Sequence, residues 1–169
     1  NQEKLNQSFV SFAENLPFYG YILLNLDDSN IRKISKDIHR RQITFGFHSK
    51  NRFQITDVKL EHGLQNFQLV DHANKKHYKF STNLSGRHNL YNVTAAICVA
   101  IEENISAKEI AKGLADFQGV GRRFELSQLY FSKHPHVLID DYGHHPAEIL
   151  STILAAKEKF PRQKICMIF

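Results

Sequence analysis

The run Asp140-Asp141-Tyr142-Gly143-His144-His145-Pro146 brings two carboxylates and two imidazoles together in a short stretch. It follows an apolar segment, Val137-Leu138-Ile139, and precedes a helical pattern from Glu148 to Lys159. That order predicts a strand's C-terminal end facing a helix N-terminus, the crevice where open α/β sheets bind ligands. A helix N-terminus also offers unpaired N–H groups and a partial positive charge to anions. Four readings of these side chains stand side by side. The group could ligate a metal ion, as in a metal-dependent hydrolase. A histidine could act as general acid or base. Asp141 could accept hydrogen bonds from ribose hydroxyls while a histidine meets a substrate carboxylate. Lastly, Asp140 or Asp141 could close the turn, with the histidines simply exposed.

Two further runs carry polar groups in suggestive places. Gly86-Arg87-His88-Asn89-Leu90-Tyr91-Asn92 opens a helical pattern, and Asn89 and Asn92, three apart, share a face. An Asn amide both donates and accepts, which suits a purine edge; helix capping by Asn89 with a solvated Asn92 is the plainer alternative. Arg122-Arg123 follows Gly119-Val120-Gly121, a glycine pair that predicts a hinge. A hinge arginine can reach a site between two units, and its guanidinium binds phosphate in two-pronged fashion. No G-x-x-x-x-G-K-[ST] run occurs among the eight glycines, so a phosphate cradle of that kind is not supplied by these residues.

The elements that must position these groups alternate in type. Residues 3–14 predict a helix with Leu5, Phe9 and Phe12 on one face, broken at Asn15-Leu16-Pro17. Residues 21–26 form a near-continuous apolar strand, 30–38 a short helix and 42–47 another strand, a rhythm that favours parallel pairing. Residues 53–60 and 64–70 flank Glu61-His62-Gly63 as a hairpin, and 77–82 add a third short strand. Helices follow at 88–103 and from Ser106 to about 117, the second opened by a Ser106/Glu109 capping box. Beyond the hinge come a strand at 124–131, a turn through Pro135, a strand at 137–140, a helix begun by Pro146, and a last strand at 164–169. The expected fold class is α/β: a mostly parallel sheet with a small antiparallel patch, then the start of a Rossmann-like unit, with the boundary near residues 120–121.

The 169 residues suffice for one domain or one and part of another. No apolar run is long enough to span a bilayer, and no signal peptide is visible. The start at Asn1 without Met, and the end in an apolar run, suggest a piece of a longer protein. Cys98 and Cys166 sit in apolar sequence and read as buried free thiols, in keeping with a cytoplasmic setting. Net charge is +5, but the basic residues are scattered, and no basic stripe with interleaved aromatics supports a nucleic-acid-binding module.

Four blocks, in order, resemble the Mur ligase family: Asn15-Leu16-Pro17-Phe18-Tyr19-Gly20, then Gly86-Arg87-His88-Asn89 through Asn92 with Ala95-Ala96, then Gly119-Val120-Gly121-Arg122-Arg123-Phe124, and Asp140 to Pro146. The resemblance implies that residues 1–120 are the latter half of a central ATP-binding domain of P-loop type and 121–169 the start of a Rossmann-like C-terminal domain. It implies ATP and Mg2+ as cofactors, and a reaction in which ATP activates the carboxylate of UDP-N-acetylmuramate as an acyl phosphate for attack by L-alanine. His88, Asn89 and Asn92 match positions near the adenine, Arg123 the junction arginine near the phosphates, and Asp141 the residue holding the ribose. Tyr142, His144, His145 and, less directly, Arg122 match the amino-acid side, with Arg123 and His144 as the catalytic pair. The family's principal metal ligands fall before Asn1, so none is assigned here. The resemblance calls for no nucleic acid and no membrane partner and leaves the oligomeric state open. Within the family, the recycling ligase that attaches a tripeptide is the alternative; it tends to carry Phe-Ala at the positions of Tyr142-Gly143 and Leu at that of Phe124.

Overall fold

A computed structural model describes residues 2–131 and 134–168. Helix α1 (Gln2–Glu14) comes first, and only Ala13 on it is buried; Leu5, Phe9 and Phe12 remain at least half exposed. Strand β1 (Tyr21–Asn25) is the apolar run that follows. Helix α2 (Ser29–Ile34) starts where the Asp28 carboxylate accepts the N–H groups of Asn30 and Ile31, satisfying donors that a helix start leaves unpaired. A 3-10 turn over Ser35–Asp37 leads to β2 (Arg41–Gly46).

Strands β3 (Phe53–Glu61), β4 (Leu64–Asp71) and β5 (Lys76–Thr82) form a meander. With β1 and β2 they make one five-stranded sheet in the order β1-β2-β3-β4-β5. The pairings β1–β2 and β2–β3 are parallel, and β3–β4 and β4–β5 antiparallel. The mixed α/β architecture with its antiparallel patch is as expected. A register shift between Thr56 and Lys59 bends β3, with Asp57 at φ +52°, the mark of a β-bulge.

Helix α3 (Arg87–Glu102) lies on this sheet, and α4 (Ala107–Asp116) follows it through the expected Ser106/Glu109 capping box. Ile43, Phe53, Ile55 and Leu69 from the sheet meet Leu90, Val93, Ile97 and Cys98 from α3 in the main core. Each large side chain buried there contributes roughly 1.5–3 kcal/mol. Leu24, Ile38 and Ala13 form a smaller cluster beneath α1.

After the glycine pair, β6 (Glu125–Phe131) and β7 (His134–Asp140) pair antiparallel as a separate two-stranded sheet. Helix α5 (Pro146–Lys159) follows, and Phe124, Ala155 and Ala156 form its small core. Three expectations are corrected here. Pro135 lies within β7 opposite Tyr130, not in the turn; residues 132–133, which join the strands, lie outside the described residues. Residues 164–168 form no strand, since no neighbouring strand is present among the described residues to pair their backbone; Phe169 lies outside them. Cys166 is exposed while Cys98 is buried, because the apolar segment around Cys166 has no layer packed over it. No helix is long and apolar enough to cross a membrane among the described residues.

Candidate functional site

Helix α3, the 117–121 segment, the end of β7 and the first turns of α5 enclose a cleft of about 800 Å³. His88, Asn89 and Asn92 line it from α3, Arg123 from beyond the glycine pair, and Asp141 from the end of β7. Five of the side chains singled out in the sequence are therefore neighbours in space. Val93, Leu114, Phe117 and Val120 supply its apolar lining, the mixture of apolar wall and few polar groups usual for small-molecule sites. A second cleft of about 570 Å³ shares Asn89, Arg123, Gly119 and Val120 and adds Lys159 and Asn83.

His88 is the most distinctive group of the larger cleft. Its Nδ1 is buried with no hydrogen-bond partner among the described residues. Burial pushes its pKa below the ordinary 6.5; Asp141 pulls the other way and Arg123 adds to the depression. Burial thus disfavours the charged ring, and Nδ1, shielded from solvent beside Gly86, is a buried polar atom without a partner among the described residues. Asn89 is buried and its Nδ2 donates to the Ser85 carbonyl at 2.8 Å; it lies within α3, whose N-cap is Gly86, so the capping alternative does not hold. Asn92 is exposed at the rim.

Asp141 sits at a turn that it organises itself. Its Oδ2 accepts the N–H of Phe124 at 2.9 Å and its Oδ1 that of Gly143 at 2.8 Å. The Tyr142 N–H donates to the Arg122 carbonyl at 2.8 Å. Arg122 and Phe124 are both left-handed, at φ +57° and +54°, a strained geometry for bulky residues costing of order 1–3 kcal/mol each. The exposed Arg123 stands between them, so the strain and the two backbone anchors together fix where its guanidinium enters the cleft. Nothing in the residue types signals this arrangement, since neither residue is a glycine.

The remaining side chains gather on the outer side of the same turn. Arg122 pairs with Asp140 at 3.7 Å and stacks over Tyr142, its guanidinium carbon 5.1 Å from the ring centre. His144 meets the Tyr142 ring edge-on at 5.6 Å between centres. His145 is the N-cap of α5, its Nδ1 accepting the Ala147 N–H at 3.3 Å. Glu148, missed in the sequence, accepts the N–H groups of both His144 and His145. These two donors, first His145 and then His144, lower the Glu148 pKa. The capping-box spacing of Glu148 from His145 was the available signal, but histidine is not a usual N-cap residue. Ser151 and Thr152, one turn further on, also line the cleft and were likewise unforeseen. Among the described residues no group of three His, Cys, Asp or Glu could hold a metal ion together.

Residues 1–100 match the family model described as the Mur ligase middle domain. The chain is 42% identical over 171 residues to the UDP-N-acetylmuramate–L-alanine ligase of Buchnera aphidicola subsp. Baizongia pistaciae, over 98% of the chain and 35% of that protein. It is 39% identical over 175 residues to the ligase of the same name from Wigglesworthia glossinidia brevipalpis, over 100% of the chain and 37% of that protein. The chain therefore spans about a third of the length of these curated relatives. The crystal structure of MurF ligase from Thermotoga maritima in complex with ADP shares the fold, with a TM-score of 0.72 at 16% identity over 92% of this chain and 34% of that one.

Proposed function

This chain belongs to the Mur ligase family, and we propose that the longer protein of which it is a part joins L-alanine to UDP-N-acetylmuramate using ATP, in the cytoplasm. The convergence of His88, Asn89, Asn92, Arg123 and Asp141 on one cleft carries the reading, and the two alanine ligases that match nearly the whole chain support its substrate. Residues 1–120 are then the latter half of the ATP-binding domain and 121–169 the start of the C-terminal domain. The match of residues 1–100 to the middle-domain model agrees with that division.

In this reading the cleft takes the adenosine part of ATP. The His88 ring and the amides of Asn89 and Asn92 face the base, and Phe117 and Leu114 exclude water from it. Asp141 keeps acceptor capacity beyond its two backbone donors, since a carboxylate has about four lone-pair sites, and accepts from the ribose hydroxyls. Arg123 meets the phosphates. ATP supplies the phosphoryl group that turns the muramyl carboxylate into an acyl phosphate, with ADP leaving; the alanine amine would then attack the acyl carbon and displace phosphate. His144 takes the proton that the alanine ammonium gives up to become the attacking amine, and Tyr142, His145 and Arg122 orient the amino acid. Magnesium, which the family implies, is assigned to no residue of this chain.

The test is coupled phosphate release by the full-length protein with ATP and UDP-N-acetylmuramate, offering L-alanine and the tripeptide separately. Turnover with L-alanine is expected. Turnover with the tripeptide alone would reassign the protein to wall recycling, and none with either would overturn the proposal. Residues 1–169 by themselves are expected to give no turnover, because they contain no phosphate-cradling loop; ligation by this chain alone would contradict that.

A further inference from the structure

We infer that Asp27 is a positioning residue for the cleft: from outside it, the carboxylate tethers the first two turns of α3 and so sets where His88, Asn89 and Asn92 stand. The inference rests on the reading of that cleft as a nucleotide site.

Helix α3 begins without help from its own cap, since Gly86 provides no side-chain acceptor and the first N–H groups of a helix have no partner within it. Its position has to be fixed by its sides. On one side stand the cleft residues His88, Asn89 and Asn92. On another, Arg87 and Tyr91 lie one turn apart and both reach Asp27, in the loop after β1. The Tyr91 hydroxyl donates to Asp27 Oδ2 at 2.8 Å and accepts from Arg87 Nε at 3.1 Å. The Arg87 guanidinium lies 4.0 Å from the same carboxylate and stacks over Phe47, 4.4 Å from the ring centre.

The carboxylate is itself held by the chain leaving β2. The N–H of Phe47 donates to it at 2.7 Å and that of His48 at 3.2 Å. Gly46, at φ +145°, makes room: a Cβ there would stand 2.6 Å from Asp27 Oδ1. Asn25 Oδ1 accepts the Asp27 N–H at 3.0 Å. Burial alone would raise the Asp27 pKa, but the Phe47 N–H, the Tyr91 hydroxyl, the His48 N–H and the Arg87 charge outweigh it and hold it below 3.8. One side chain thus ties the C-terminal ends of two parallel strands to the start of the helix bearing the cleft residues. A helix turns about 100° and rises about 1.5 Å per residue, so a small rotation of α3 displaces all three. The Tyr142 and His144 cluster stands on the β7–α5 turn and, among the described residues, has no bond to this tether.

The experiment compares Asp27→Asn and Tyr91→Phe in the full-length protein, with Ile55→Val in the core as a control that lowers stability only. ATP affinity is read by calorimetry, and KM for ATP and for L-alanine by phosphate release. An Asn at 27 replaces one acceptor oxygen by a donor facing N–H and O–H groups. Asp27→Asn is expected to weaken ATP binding about tenfold, the scale of losing about one well-placed hydrogen bond to the base, with KM for L-alanine within about twofold. Tyr91→Phe, which loses only the hydroxyl, is expected to weaken it about threefold and stands in if Asp27→Asn fails to fold. Ile55→Val should lower the melting temperature and leave both constants unchanged. ATP affinity equal to the parent's in the folded variants would overturn the positioning role while leaving the nucleotide reading intact. Absence of ATP binding by the unsubstituted protein would overturn the nucleotide reading, and this inference with it.

Discussion

At the scale of single residues, His88 makes the sharpest prediction. Its folded-state pKa lies below the unfolded value near 6.5, because burial penalises the charged ring. The folded state therefore binds fewer protons than the unfolded one. Its contribution to stability is complete above about pH 6.5 and is lost as pH falls through the depressed folded value. Urea midpoints measured between pH 7.5 and 5.5 should fall for the parent and fall less for His88→Gln; equal slopes would refute this. Asp141→Ala removes the acceptor of two backbone N–H groups and should cost about 1–3 kcal/mol in a denaturation experiment, with Asp141→Asn milder. The residues of the cleft were legible in the sequence because they belong to runs whose types are unusual together: an Asn pair at helical spacing, two arginines after glycines, carboxylates beside imidazoles. Work done at a distance leaves no such local mark. Asp27 carries no local signal, since the partners it gathers, Phe47, His48, Arg87 and Tyr91, are 20 to 64 positions away.

At the scale of elements, α3 and α5 meet where side chains are smallest. A Cβ at Gly86 would stand 2.6 Å from the Ala155 Cβ, and Gly86 has φ +89°, a region that costs other residues of order 1–3 kcal/mol. Close by, Lys159 Nζ donates to Ser85 Oγ at 2.9 Å. Gly86→Ala should therefore cost about 2–4 kcal/mol in chemical denaturation, from strain and overpacking combined; a loss under about 1 kcal/mol would show that the helices part easily. The element order itself was legible. Apolar runs, hairpin glycine, capping box and Pro146 each act over a few residues, so their signal is local. The ends differ because pairing is not local: Pro135 favours a turn, but a strand of a two-stranded sheet has one unpaired side that tolerates proline, and residues 164–168 are apolar enough for a strand yet have none among the described residues to pair with.

At the scale of the whole chain, two sheets of unequal standing are joined at the glycine pair. The five-stranded sheet has a continuous core shared with α3 and α4, whereas β6 and β7 carry Leu126, Leu129, Tyr130, Val137 and Leu138 substantially exposed. Hydrogen exchange of residues 1–169 should therefore find the amides of β3–β5 slower than those of β6 and β7; the reverse order would contradict this assignment of the core. The outer edge of β1 has a further consequence. No strand among the described residues pairs with it, and it presents the backbone of Tyr-Ile-Leu-Leu-Asn to whatever approaches. An uncovered edge of that composition is a template for another strand, so solutions of this piece alone will gain intermolecular β-structure as concentration rises. Its positive net charge slows that growth at low salt, and added salt, by screening it, will hasten precipitation.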